Sequence, residues 1–267
     1  MATALKDFKW VGTRAVRPDG VEKVTGRAKF GADFSLPGML IGKVLRSPHA
    51  HAKIKSINIE AARTLNGVKA IITGSDFNEL PSEWVPAGGV QINFRDLSRS
   101  IMARNKVLFE GHPVAAVAAT SEIIAREALA LIKVEYEILP HVIDVEAAMS
   151  PDAPILHEDL FTAGVEPSPK TASNIAKRVD YSSGNIGDGF KEADVIIEKH
   201  FTTQPVHQGY IEPHATVASA SEDGQCSIWT STQGQYVVRA YCSEVLQLDI
   251  SSIRVTPSEI GGGFGGK

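Results

Sequence analysis

Four prolines, Pro151, Pro154, Pro167 and Pro169, are scattered among polar residues between about positions 146 and 180. Proline has no amide donor and holds its φ near the helical value, so a stretch punctuated this way suits neither a helix interior nor a central strand. It reads as an extended linker with little structure of its own, separating two folded units. The 267 residues are enough for two domains and a true core.

Ahead of the linker, residues 1–20 are polar and irregular, and short strand-like runs then alternate with a few helices up to about 145. "MLIGKVLR" (39–46) and "VKAIITG" (68–74) read as strands, stopped by Ser47-Pro48 and by Gly74. "FEGHPVAAVAAT" (109–120) holds a buried strand, with "FEGHP" as a turn. "SEIIAREALALI" (121–132) sets Ile124, Ala128 and Leu131 on one helical face. "KVEYEIL" alternates Lys133, Glu135 and Glu137 with Val134, Tyr136 and Ile138, the period of a half-buried strand.

Beyond the linker, Ala193–Thr203 within "GDGFKEADVIIEKHFTT" reads as a long strand, followed by the strands "ATVASA" and "CSIWTST". "QGQYVVRAYCSEVLQL" then places Val238, Tyr241 and Val245 on one face of an amphipathic helix of about three turns. Thr232 and Gln235 have the T-x-x-Q spacing of a capping box, which starts this helix at Thr232 and puts Gln233 in its first turn. The expected fold class is α+β. Its expected parts are an extension over 1–20, a first domain over 21–145, the linker over 146–180 and a second domain over 181–267.

Bulk properties exclude several classes of function. A formal net charge of −4 and a pI near 6.1 leave no basic footprint, which argues against nucleic acid as a partner. No apolar run approaches the roughly 20 residues needed to span a bilayer. The opening "MATALKDFKW" carries charges where a secretory signal has its apolar centre, so cytoplasmic residence is the expectation. Cys226 and Cys242 form no C-x-x-C pattern and read as buried reduced thiols, not as a disulfide, zinc or iron–sulfur framework.

The strand-like "SIRVTPSEI" runs straight into "GGGFGGK", which satisfies two phosphate-binding templates at once. Both templates require a following helix whose amides face the phosphate, and that helix and the magnesium-binding Ser/Thr would lie beyond residue 267, so neither match counts for much alone. Beside nucleotide binding and a flexible glycine tail, which fits poorly with the strand leading in, the loop reads as a nest of backbone amides that no side chains obstruct. Gln233 also follows a strand, where α/β folds place ligand-binding groups, and could lend an amide donor or merely bond its own backbone. His49 and His51 in "SPHAHA" would share a face on a strand, but they lack a third metal ligand. "HQGYIEPHA" groups His207, Glu212 and His214, read first as a buried hydrogen-bonded cluster packing two strands and second as an acid/base or metal site. No serine nucleophile elbow, paired carboxylates or Cys/His dyad stands out.

Six segments in order resemble one family. "DGVEKVTGRAKFGADF", "GKVLRSPHAHAKI" and "VLFEGHPVAAVAA" resemble the N-terminal α/β hammerhead domain of the molybdenum-binding subunit of xanthine oxidase and aldehyde oxidase type molybdenum hydroxylases. "GDGFKEADVIIEKHFTTQPVHQGYIEPHATVA", "WTSTQ" and "GGGFGGK" resemble the start of that subunit's mixed α/β molybdopterin-binding domain. The resemblance covers nearly the whole chain from about residue 18 and implies that Gln233 hydrogen-bonds an oxygen ligand of molybdenum. It implies that Gly262, Gly263, Phe264 and Gly265 contact the pterin cofactor and the metal's oxo ligand, so that Gln233 and Phe264 approach molybdenum only through its oxygens. The cofactor implied is molybdopterin or its cytosine dinucleotide form.

Partners implied are the remainder of the molybdenum subunit, which would carry the general-base glutamate, an iron–sulfur subunit with [2Fe-2S] clusters and an FAD subunit. The implied reaction hydroxylates a small-molecule aromatic heterocycle, aldehyde or related substrate with water as oxygen source, and the chain by itself is expected to be inactive. The other reading is a non-catalytic assembly or interaction module of such a complex.

Overall fold

The structure is a computed structural model that describes residues 9–87 and 89–267; the first eight residues of the expected 1–20 extension lie outside them. The chain divides into two compact units, one built from the chain up to Pro37 with His207–Lys267 and the other from Gly38–Val206. Among the described residues, no helix is long and apolar enough to cross a membrane.

The helices are α1 (Gly20–Val24), α2 (Glu60–Arg63), α3 (Phe94–Ile101), α4 (Glu122–Leu131), α5 (Val145–Met149), α6 (Ile186–Glu192) and α7 (Gln235–Leu246). The strands are β1 (Ile41–Arg46), β2 (Ala52–Asn58), β3 (Val68–Thr73), β4 (Trp84–Ala87), β5 (Val90–Asn93), β6 (Lys106–Val107), β7 (Pro113–Ala119), β8 (Lys133–Ile138), β9 (Thr216–Ala220), β10 (Cys226–Thr230) and β11 (Ile253–Pro257). This is a mixed helix and strand fold.

In the Gly38–Val206 unit, β7 runs antiparallel between β1 and β3, while β2 runs antiparallel between β6 and β8. β7 is almost all alanine and valine, and its small side chains let helix α4 come close. Ala115, Val117 and Ala119 meet Ala125 and Ala128 of α4 and Ala62 of α2, all buried. The buried face of α4 is therefore Ala125 and Ala128, with Ile124 packed beside them. Leu131, expected on that face, is exposed. Ser121 starts the helix by accepting a hydrogen bond from the Ile124 amide at 3.3 Å.

One expectation fails in this unit. Residues 193–203 are irregular and exposed, including Val195, Ile196, Ile197 and Phe201, although their pattern reads as a strand. A strand exists only where its amides find a neighbouring strand, and among the described residues none lies alongside. The proline-rich stretch has hardly any regular structure after α5, yet it is tied down. Asn174 accepts from the Leu156 amide at 3.0 Å and donates to the carbonyls of Ala148 at 3.1 Å and Pro154 at 3.0 Å.

In the other unit, β10 pairs antiparallel with β9 and parallel with β11, and α7 connects the two parallel strands. Residues ahead of Pro37 join this sheet's end, where Phe30 bridges Glu259.

Candidate functional site

The β10–α7–β11 connection dictates where chemistry can sit. Parallel neighbours end at the same edge, and the register Thr230↔Pro257 sends the chains after both strands out side by side. One is Ser231-Thr232-Gln233 and the other runs through Ser258 into Gly261–Lys267. Crevices beyond the carboxyl ends of parallel strands are where such folds bind ligands.

Gln233 reaches this edge in a bend, not in a helix. The N-cap is Gly234 and α7 begins at Gln235, two residues later than the capping-box spacing implies. Thr232 is drawn into a tighter local turn, its hydroxyl accepting from the Gly234 amide at 3.1 Å, so it cannot cap the helix. The bend frees Gln233 from helical geometry and lets its side chain cross to the glycine loop. There its Oε1 accepts from the Gly265 amide at 2.9 Å, while its own amide donates to the Lys267 carbonyl at 3.2 Å.

The glycines are required for two different reasons. A Cβ on Gly263 would lie 2.6 Å from Gln233 Oε1, one on Gly261 2.7 Å from Glu212 Cβ, and one on Gly266 2.8 Å from Tyr210 Cε1. These positions are glycine because side chains pack directly on the backbone. Gly262 at φ +95° and Gly265 at φ +86° adopt the left-handed region that side chains disfavour. Phe264 adopts φ +49° despite its side chain, at a cost of about 1–2 kcal/mol, and the residue is 72% exposed.

These contacts leave a defined set of donors. The amides of Gly261, Gly265 and Gly266 are taken by Glu212, Gln233 and the Gly263 carbonyl. Among the described residues, nothing accepts from the amides of Gly262, Gly263 or Phe264. Gln233, its Oε1 committed to the loop, must present Nε2 as a donor to anything else. A short arc of neutral donors without a fixed positive charge suits the oxygens or ring polar atoms of a bound group. This donor set fits an oxygen-rich pterin cofactor.

The remaining candidates resolve differently from the sequence reading. His207 and His214 are exposed and lie on no strand, so "HQGYIEPHA" is not a buried histidine cluster. His207 accepts from the Gly209 amide at 3.0 Å, and His214 meets the Tyr210 hydroxyl at 2.7 Å. Its buried member is Glu212, whose side chain is 9% exposed and pairs at 2.6 Å with the fully buried ammonium of Lys267. Burial pushes the Glu212 carboxyl up, but the Lys267 ammonium and the amides of Gly261 and Gly31 more than reverse this, leaving it below the usual carboxylate range. This pair was missed because its members stand 55 positions apart, with no local pattern linking them.

His49 and His51 have separate partners. His51 is buried and donates from Nδ1 to the Pro140 carbonyl at 2.7 Å, whereas His49 sits edge-on to Tyr136. Among the described residues, no group of three potential ligands could hold a metal ion. Cys226 and Cys242 are free but only half-buried, and burial followed by the nearby Cys226 sulfur pushes the Cys242 thiol up.

Comparison with known proteins gives the chain's class. Residues 25–140 match the family model for the aldehyde oxidase and xanthine dehydrogenase a/b hammerhead domain, and residues 167–267 match that for the molybdopterin cofactor-binding domain. The chain belongs to the aldehyde oxidase and xanthine dehydrogenase family. Among its relatives, it is 34% identical to the carbon monoxide dehydrogenase large chain of Afipia carboxidovorans over 100% of its own length and 32% of that protein's. It is 32% identical to the nicotinate dehydrogenase large molybdopterin subunit of Eubacterium barkeri, over 98% of this chain and 56% of the other. Quinoline 2-oxidoreductase from Pseudomonas putida 86 superposes with a TM-score of 0.80 at 30% identity, covering 95% of this chain and 31% of that one. The chain thus spans between about a third and just over half of the length of these relatives.

Proposed function

We propose that the chain forms one wall of the molybdopterin site of a molybdenum hydroxylase. The observation that carries this reading is the arc of free amides at Gly262, Gly263 and Phe264 beside an oriented Gln233. When bound, the molybdenum cofactor supplies two-electron oxidation of a substrate C–H bond, with water as the source of oxygen.

The residues of this chain hold and orient. Gln233 Nε2 would donate to an oxygen of the bound group, and the amides of Gly262, Gly263 and Phe264 would line its edge. Gly265 acts indirectly, since its amide is spent on fixing Gln233. Donors fixed in advance need no reorganisation as charge develops, which is the usual source of their rate effect. None of these groups exchanges a proton readily at neutral pH, so a general base must come from another part of the enzyme. By itself the chain is expected to be inactive.

The proposed domains are a hammerhead over 21–145, a linker over 146–180 and the start of the cofactor domain over 181–267. Proposed partners are further molybdenum-subunit polypeptide, an iron–sulfur subunit and an FAD subunit that carry electrons away. The exposed apolar row of Val195, Ile197 and Phe201 supports such an assembly, because a strand pattern without a partner strand suits pairing with more polypeptide. The substrate class is an aromatic heterocycle, an aldehyde or a related compound.

Gln233→Ala in the complete complex tests the site. Loss of one oriented donor is expected to lower turnover by roughly a hundredfold, with less molybdenum retained per complex. Unchanged kinetics and metal content would refute the role given to Gln233.

A further inference from the structure

We propose that Glu212 is the positioning residue of the glycine loop, one carboxylate that ties the loop's first amide to its last side chain and so holds the amides between them open. Glu212 Oε2 accepts from the Gly261 amide at 2.7 Å and from Lys267 Nζ at 2.6 Å. Its Oε1 accepts from the Gly31 amide at 3.2 Å, which anchors the same side chain to a second segment of its unit. Lys267 Nζ also lies 4.9 Å over the Tyr210 ring, and Tyr210 packs against Gly262 and Gly266 from the same side.

The need for such an anchor follows from composition. Five glycines in seven residues give the free loop a large conformational entropy, which must be overcome before its amides can converge. Phe264 in a left-handed conformation adds to what must be held in place. Local hydrogen bonding contributes one short turn, from the Gly266 amide to the Gly263 carbonyl at 2.7 Å. The Glu212 bonds act at both termini instead, converting the run into a closed loop. Burial makes the closure selective, since neither the carboxylate nor the ammonium can leave without stranding the other away from water. Glu212 bonds the loop at its first residue, Gly261, and at its last, Lys267, so it acts through them.

The consequence for cofactor retention rests on the proposed function, but the closure itself can be tested on the 267-residue chain without any cofactor. Glu212→Ala alone strands the Lys267 ammonium and can unfold the unit. The informative variant combines Glu212→Met with Lys267→Met, an apolar pair of similar volume that removes both charges and leaves Gly261 without an acceptor. Residue-resolved hydrogen exchange should show the amides of Gly261, Gly265 and Gly266 exchanging about tenfold faster or more, with the β9, β10 and β11 amides unchanged. Lys267→Arg, which keeps the pair, should retain the original protection.

Unchanged protection at these three glycines in the double variant would overturn the proposal. So would an equal loss across loop and sheet, because Glu212 would then serve general stability only. Molybdenum retention by the Gln233→Ala complex reports on the site's function separately, so the two ideas can fail independently.

Discussion

At the scale of single residues, the loop separates glycines that avoid a collision from glycines that permit a conformation. Gly263→Ala would drive its methyl into Gln233, whose Oε1 lies 2.6 Å from the Cβ position. We expect that variant to break the Gln233–Gly265 bond while leaving the loop's φ angles allowed, visible as a displaced Gln233 in a crystal structure. Gly265→Ala meets no atom within 4 Å, so its penalty comes only from the left-handed backbone. That penalty is about 1–2 kcal/mol, measurable by denaturant unfolding, with Gln233 still in place. Glu212→Ala belongs to a harsher class, since breaking a buried pair costs about 3–5 kcal/mol. Resemblance singled out Gln233, but the two glycine roles and the Glu212–Lys267 pair were not legible, because both depend on which side chains the fold brings onto the loop.

At the scale of elements, period and composition located most strands. β1, β3, β7, β8, β10 and β11 fall where the apolar runs lie, because each at least half-buries one face within the chain. The same reasoning fails at 193–203, where an equally good pattern has no neighbour to pair with. It also passes over β2, whose "AKIKSIN" is thin in apolar residues and takes its order from pairing with β6 and β8. The "FEGHP" turn carries more than its sequence suggests. His112 is fully buried, accepting from the Leu108 amide at 3.1 Å and, through Nε2, donating to the Arg99 carbonyl at 2.8 Å.

Burial holds this imidazole's pKa below the ordinary value of 6.5, outweighing backbone contacts with Arg99 and Ser100 that act the other way. Below 6.5 the unfolded state therefore binds more protons than the folded one, and stability falls as the pH drops from there towards the folded value. The slope is at most about 1.4 kcal/mol per pH unit. Denaturant melts between pH 8 and 5 should show it, and His112→Gln should flatten the profile. A profile that His112→Gln leaves unaltered would remove His112 as the cause.

At the scale of the whole molecule, the family assignment rests on two domain matches that together span most of the chain. The chain's length is between about a third and just over half of the relatives', and the site has the matching character. It offers donors, a shaped loop and an anchoring ion pair. Such a wall needs an opposite wall. The most direct measurement is metal analysis of the assembly recovered from the native host through a tag on this chain. The account predicts a complex larger than 28.6 kDa carrying about one molybdenum per copy of the chain, reduced on Gln233→Ala. A stable, metal-free 28.6 kDa monomer as the sole species would contradict it.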